Sequence, residues 1–159
     1  MSMFCYQCEQ TAGCTGCTVQ GVCGKDADTS GLQDLLNEVT KGISWYATKA
    51  GPCSRDLNLF VIESLFTTIT NVNFDQERLA DLIRKAVQFR DAAKGCAGDP
   101  ADAPSCATLE DPNDLAGMVQ VAQGQSVASR KERLGDTVGG LHELIFYGAK
   151  GTAAYAQHA

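Results

Sequence analysis

Five of the eight cysteines, Cys5, Cys8, Cys14, Cys17 and Cys23, fall within the first 23 residues of this 159-residue chain. Thiols at this density bind metal, do redox chemistry or pair as disulfides. The opening Met-Ser-Met-Phe-Cys has no basic or apolar leader segment, which predicts a cytosolic protein whose thiols stay reduced. Metal binding is then the expected use. Cys5-Tyr6-Gln7-Cys8 is a CxxC pair, whose two sulfurs can reach one metal centre. Two sets of four follow: Cys5, Cys8, Cys14 and Cys17, or Cys5, Cys8, Cys17 and Cys23. The segment 9–13 is too short for the hairpin or helix that parts the two knuckles of a structural zinc site. Thr11, Gly13, Thr15, Gly16, Thr18, Gly21 and Gly24 are small enough to let a loop wrap closely around an inorganic core. The spacing favours an iron–sulfur cubane over zinc and leaves open which four of the five cysteines bind. Cys53, Cys96 and Cys106 read as free surface thiols, with no other Cys or His near Cys96 and Cys106 in sequence to complete a second site.

The remainder reads as helices that must position this loop. Ser30 is the expected cap of a first helix carrying Leu32, Leu35, Leu36, Val39, Ile43 and Tyr46, stopped at Gly51-Pro52. Ser54 caps a second, 55–70, apolar on several faces and therefore central. After an Asn71-Val72-Asn73-Phe74 turn, Asp75 caps a third helix through Lys94, with Gly95 as its stop. Three helices on short links predict a three-helix bundle. Residues 95–112 form a Pro/Gly-rich loop, followed by a short helix near 113–123, a polar stretch to Lys131, and a final helix over 132–157 that restarts at Gly139-Gly140. The expected organisation is all-α: a cysteine-rich cluster-binding loop over 1–29, a three-helix bundle over 30–95, a linker with a short helix over 96–131, and over 132–159 the first helix of a second, incomplete bundle.

Composition narrows the function classes. Hydrophobic residues make up 44% and charged residues 20%, which is globular. Thirteen basic against nineteen acidic residues give a net charge of -6, which argues against a nucleic-acid partner. The longest apolar stretch, 57–69, is interrupted by Asn58, Glu63 and Ser64 and is shorter than the roughly 20 residues of a membrane span.

An internal repeat aligns 31–47 with 140–156 at a constant offset of 109, with seven of seventeen positions identical, including Lys41-Gly42 with Lys150-Gly151 and Tyr46-Ala47 with Tyr155-Ala156. A second bundle thus begins at 140. Its helix alone would expose Leu144, Ile145, Phe146 and Tyr155, so its partners are expected elsewhere: in further chain, or in a second copy packing on 140–157.

Met3-Phe4-Cys5-Tyr6-Gln7-Cys8-Glu9-Gln10-Thr11-Ala12, Thr15-Gly16-Cys17, Gly21-Val22-Cys23-Gly24-Lys25 and Leu32-Gln33-Asp34-Leu35-Leu36 closely resemble the N-terminus of the hybrid cluster protein family, also called prismane protein or hydroxylamine reductase. Residues 66–74 and 150–156 match as well. The resemblance implies that Cys5, Cys8, Cys17 and Cys23 hold a [4Fe-4S] cluster and that Cys14 is extra. It implies two three-helix bundles followed by two α/β domains. It further implies an oxidoreductase whose hybrid iron–sulfur–oxygen cluster, reducing hydroxylamine or nitric oxide, takes its ligands from later chain. None of those ligands can be carried over here, so no catalytic residue is assigned. The implied role is electron transfer from a ferredoxin-like or NADH-dependent reductase to that hybrid cluster. The other readings are a structural zinc module, or a redox sensor built on Cys14. Phe4 and Tyr6 read equally as core or as a shield for the cluster. Lys25 reads as solvated, Asp34 and Glu143 as capping or solvated, and His142 and His158 as ordinary surface or interface histidines.

Overall fold

The computed structural model describes residues 3–70, 72–98, 100–110 and 112–159. Among them are six α-helices, α1 Ala27–Ala50, α2 Arg55–Thr67, α3 Gln76–Ala97, α4 Leu115–Ala122, α5 Val127–Leu134 and α6 Asp136–His158, and no strand. The fold is all-α. None of these helices is long and apolar enough to cross a membrane.

Each of the first five helices starts where a side-chain oxygen takes up an otherwise unpaired amide of the first turn. Asp26 accepts from the Thr29 amide at 2.7 Å, Ser54 from Leu57 at 3.2 Å and Asp75 from Arg78 at 3.1 Å. Asp114 accepts from Gly117 at 2.6 Å and Ser126 from Ser129 at 3.1 Å. Asp26, not Ser30, therefore caps α1, and Ser30 is buried within its first turns. α2 ends at Thr67, short of Thr70, because the Thr68 hydroxyl donates to Asn37 Oδ1 at 2.8 Å and its carbonyl accepts from Lys150. α3 runs through Gly95 to Ala97; the stop is Gly98, whose φ of 82° suits a residue without a Cβ. The Asn71 end of the expected turn lies outside the described residues, while Asn73 Oδ1 accepts from the Asp75 amide at 2.9 Å.

α1 lies along α3, and Leu32, Leu35, Leu36, Val39, Ile43 and Tyr46 meet Leu79, Leu82, Ile83 and Val87. α2 adds Leu57 and Phe60, the latter stacked on Phe89 at 4.8 Å. α2 packs more extensively on α6 than on α3. The segment after α3 is no bare loop: a 3-10 turn, Ser105–Ala107, lies on α1 and buries Ala107. Cys106 and Cys53 are half-buried, and of these three thiols Cys96 alone is exposed, which corrects the surface reading of the first two.

The polar stretch before Lys131 is helix α5, and α6 begins at Asp136 after Gly135, whose φ is 78°, and passes Gly139-Gly140 without a break. α6 packs on α2 and α5. Its repeat-equivalent of the buried α1 face stays open: Leu141, Leu144 and Tyr155 are exposed where Leu32, Leu35 and Tyr46 are fully buried. Ile145 is exposed too, whereas Phe146 is half-buried under Lys41 and Lys150, whose Nζ atoms stand 4.7 and 5.2 Å from its ring centre.

A Cβ at Gly42 would collide with the carbonyl of Cys106, a backbone atom that cannot swing away. Gly42→Ala should destabilise the chain by about 1–3 kcal/mol, read as a lower urea midpoint, although alanine favours helix.

Candidate metal centre

The loop before α1 is held by its own backbone. Cys5 and Cys17 form an isolated antiparallel bridge, exchanging N–H to O bonds of 3.0 and 2.8 Å, and Met3 donates to the Thr18 carbonyl at 3.1 Å. Between the two cysteines a 3-10 turn, Ala12–Cys14, reverses the chain, with Gly13 and Cys14 at φ of 60° and 58°. The Thr11 hydroxyl ties this turn back to the Cys5 carbonyl at 3.0 Å. A second turn carries Cys23: Gly21 donates to the Lys25 carbonyl and Gly24 to Gly21, both at 2.8 Å. A Cβ at Gly21 would stand 3.0 Å from Cys23 Sγ, so a side chain there would crowd that sulfur. A Cβ at Gly16 would press into the Phe4 ring at 2.7 Å.

Cys17 is buried, Cys5, Cys8 and Cys23 are half-buried, and Cys14 is exposed at the turn. All five carry free thiols. The Ala12 amide donates to Cys17 Sγ at 3.4 Å and the Thr11 hydroxyl stands 3.8 Å from it. The Cys17 thiol is held below its ordinary pKa by the amides of Ala12 and Val22, then by Thr11 and the Lys25 charge, against the opposing effect of burial. The thiolate is the metal-ligating form, so amides directed at sulfur prepare it for that use. Among the described residues no three Cys, His, Asp or Glu side chains converge on a point where one ion would sit. The backbone bridge brings Cys5 and Cys17 together, while Cys8 and Cys23 sit on separate turns of the same loop. A cubane binds each thiolate to a different iron and so asks for ligands spread around a volume. Four thiols, amides aimed at sulfur and glycines that leave room beside it are the donor set that such a cluster needs.

Aromatic and charged side chains back the loop. Phe4 lies 5.2 Å from Tyr6, and Tyr6 meets Tyr147 of α6 edge-on at 5.7 Å, with Lys131 Nζ 5.3 Å from the Tyr6 ring centre. Burial, then the Glu143 charge, raises the Tyr6 phenol, and burial raises Tyr147 as well. Beneath them lies a charged layer. Arg130 is buried, donating from Nε to Glu143 at 2.8 Å and from Nη1 to Glu38 at 3.0 Å and to the Gln125 carbonyl at 2.5 Å. Lys41 pairs with Glu38 at 2.5 Å. Lys25, also buried, donates to Gln33 at 2.9 Å, and Gln33 donates to the Asn73 carbonyl at 2.7 Å. Lys25 and Glu143 are therefore neither solvated nor capping, and half-buried Asp34 faces the same layer. His142 is largely exposed, 3.7 Å from Glu143, and His158 stands edge-on to Phe66 at 5.5 Å, both at the surface as expected.

Burial raises the Asp34 carboxyl to about 6, against the pull of Arg130, Lys150 and Lys25 and with a push from Glu143. The folded chain thus holds this proton more tightly than the unfolded chain, whose value is near 4. The resulting stability is fully present below about pH 4 and is lost as pH rises through about 6. Asp34→Asn, neutral throughout, should raise the urea midpoint over wild type at pH 7.5, and the gain should vanish near pH 4.

A model of the Prismane/CO dehydrogenase family matches residues 3–159. The chain is 45% identical over 167 residues to a hydroxylamine reductase of Desulfitobacterium hafniense (strain DSM 10664 / DCB-2). It is 44% identical over 172 residues to one of Kosmotoga olearia and 41% identical over 161 residues to one of Zymomonas mobilis. These alignments cover 99–100% of this chain but 30% of each relative, so the chain spans about 30% of the length of the curated relatives it matches. With the cysteine loop, the helices that back it and residues 3–159 all falling within one match, the chain belongs to the Prismane/CO dehydrogenase family.

Proposed function

We propose that Cys5, Cys8, Cys17 and Cys23 hold a [4Fe-4S] cluster and that this chain is the electron-relay portion of a hydroxylamine-reducing oxidoreductase. The observation that carries the reading is Cys17: a buried thiol bridged through its backbone to Cys5, with amide hydrogen bonds that favour its thiolate. When bound, such a cluster supplies a one-electron relay. The chain's own residues do the rest. Thr11 and the Cys5–Cys17 bridge fix the spacing of the sulfurs, and Phe4 and Tyr6 cover one side of the loop. Cys14, exposed at its turn, is left out of the ligand set.

Electrons would come from a ferredoxin-like or NADH-dependent reductase in a reducing compartment, the cytosol. They would pass to a hybrid iron–sulfur–oxygen cluster carried by later chain, where hydroxylamine becomes ammonia or nitric oxide becomes nitrous oxide. The activity these relatives are named for, hydroxylamine reduction, and their greater length support this division of labour. The open α6 face, Leu141, Leu144 and Tyr155, would receive further chain, since its repeat-equivalent in α1 is covered by α3.

Anaerobic purification with iron and sulfide assay, and an electron paramagnetic resonance (EPR) spectrum after dithionite reduction, tests the cofactor. About four iron and four sulfide per chain are expected, with a reduced-cubane signal. Cys17→Ser and Cys23→Ser should lose most of the iron and Cys14→Ser should keep it. Zinc in place of iron, or loss of the cluster in Cys14→Ser, would overturn the assignment and return the loop to a structural zinc module or a sensor.

A further inference from the structure

Lys150 is 4% exposed, in the middle of α6. Its ammonium donates to the Thr68 carbonyl at 3.2 Å and lies over the Phe146 and Tyr147 rings, 5.2 and 5.9 Å from their centres. Among the described residues no carboxylate stands within ion-pairing distance of it; Asp34 and Glu143 act on it from farther away. Its repeat-equivalent, Lys41, shows what is missing: Lys41 is paired directly with Glu38. Lys25 is the second cation of this kind, 3% exposed and bonded to an amide oxygen of Gln33 instead of a carboxylate.

Two buried ammonium groups without carboxylate partners are expensive unless something anionic is close. The layer they belong to holds four cations, Lys25, Lys41, Arg130 and Lys150, against three carboxylates, Asp34, Glu38 and Glu143. Both unpaired lysines adjoin the cysteine loop. Lys25 acts on the Cys17 thiolate. Lys150 acts on Cys5 and lines one groove with Gln7, which lies inside the Cys5–Cys8 knuckle. Burial lowers Lys150 to about 8, so it is still predominantly a cation at pH 7.

We propose that Lys150, with Lys25, is the built-in countercharge of the metal cluster and holds its reduction potential up, an inference that rests on the cluster reading above. Four thiolates leave a cubane with net negative charge, and the electron it accepts adds one more. A cation fixed in a low-dielectric surround therefore stabilises the reduced form more than the oxidised one. Lys150 is a positioning residue for charge: it acts on the cluster potential without being a ligand.

The test is an EPR-monitored redox titration of the anaerobically loaded chain. Lys150→Met should move the midpoint negative, so that the reduced-to-oxidised ratio at the wild-type midpoint falls about tenfold, or about 59 mV for a one-electron couple. Lys150→Arg should stay near wild type, and Lys41→Met, which removes a cation already paired, should shift the midpoint much less. Should Lys150→Met not fold, Lys150→Gln takes its place, removing the charge while keeping a donor for the Thr68 carbonyl. A loaded Lys150→Met or Lys150→Gln variant with the wild-type midpoint overturns this inference alone. A wild-type chain that binds no iron overturns the cluster reading, and this one with it.

Discussion

Arg130 joins the first long helix to the last. Its guanidinium reaches Glu38 of α1 and Glu143 of α6 at once, with all three side chains out of water. A buried ion pair adds little net stability compared with an apolar contact, yet removing one member strands the others and costs about 3–5 kcal/mol. Its value here lies in orientation. An apolar contact between α1 and α6 would tolerate a slide or a rotation, whereas a guanidinium bonded on three sides does not. That fixed relation puts Tyr147 against Tyr6 and Lys150 beside the first cysteine pair. Among the described residues, the loop itself is held by one backbone bridge, a few turns and the Thr11 hydroxyl.

The cysteine loop and the charged layer are thus one design in two parts. Short hydrogen-bonded turns space the sulfurs, and the helices supply what short turns cannot: aromatic cover and positive charge that water does not screen. Metal centres depend on this outer layer for their chemistry as much as on the ligands themselves. Lys41 and Lys150 occupy equivalent positions and approach the same Phe146 ring, but one is neutralised by Glu38 and the other is left for the loop.

Much of this was legible in the amino acids. Ser54 and Asp75 announced their helices because a cap followed by apolar residues at helical spacing is a local signal. The cysteine spacing picked out the loop, and the offset of 109 picked out α1 and α6 as related. What escaped was everything set by distant partners. α5 looked like a polar link because its two buried residues are Val127 and Arg130, and Arg130 is inside because it pairs with Glu38, 92 positions away, and with Glu143. Lys25, Glu143 and Lys150 carry no local mark of burial; their partners, Gln33, Arg130 and Thr68, lie in other segments. Ser30 reads as a cap because serine caps well, yet Asp26 does the capping, and only the backbone geometry shows which residue stands at the helix start.

The most direct measurement is anomalous diffraction at the iron absorption edge from crystals of the anaerobically loaded chain. The expected result is a single four-iron cluster enclosed by the sulfurs of Cys5, Cys8, Cys17 and Cys23, with Cys14 outside it and the ammonium of Lys150 directed to its Cys5 side. An iron centre bound through Cys14, a lone ion in place of a cluster, or a Lys150 side chain turned away into solvent would contradict the account.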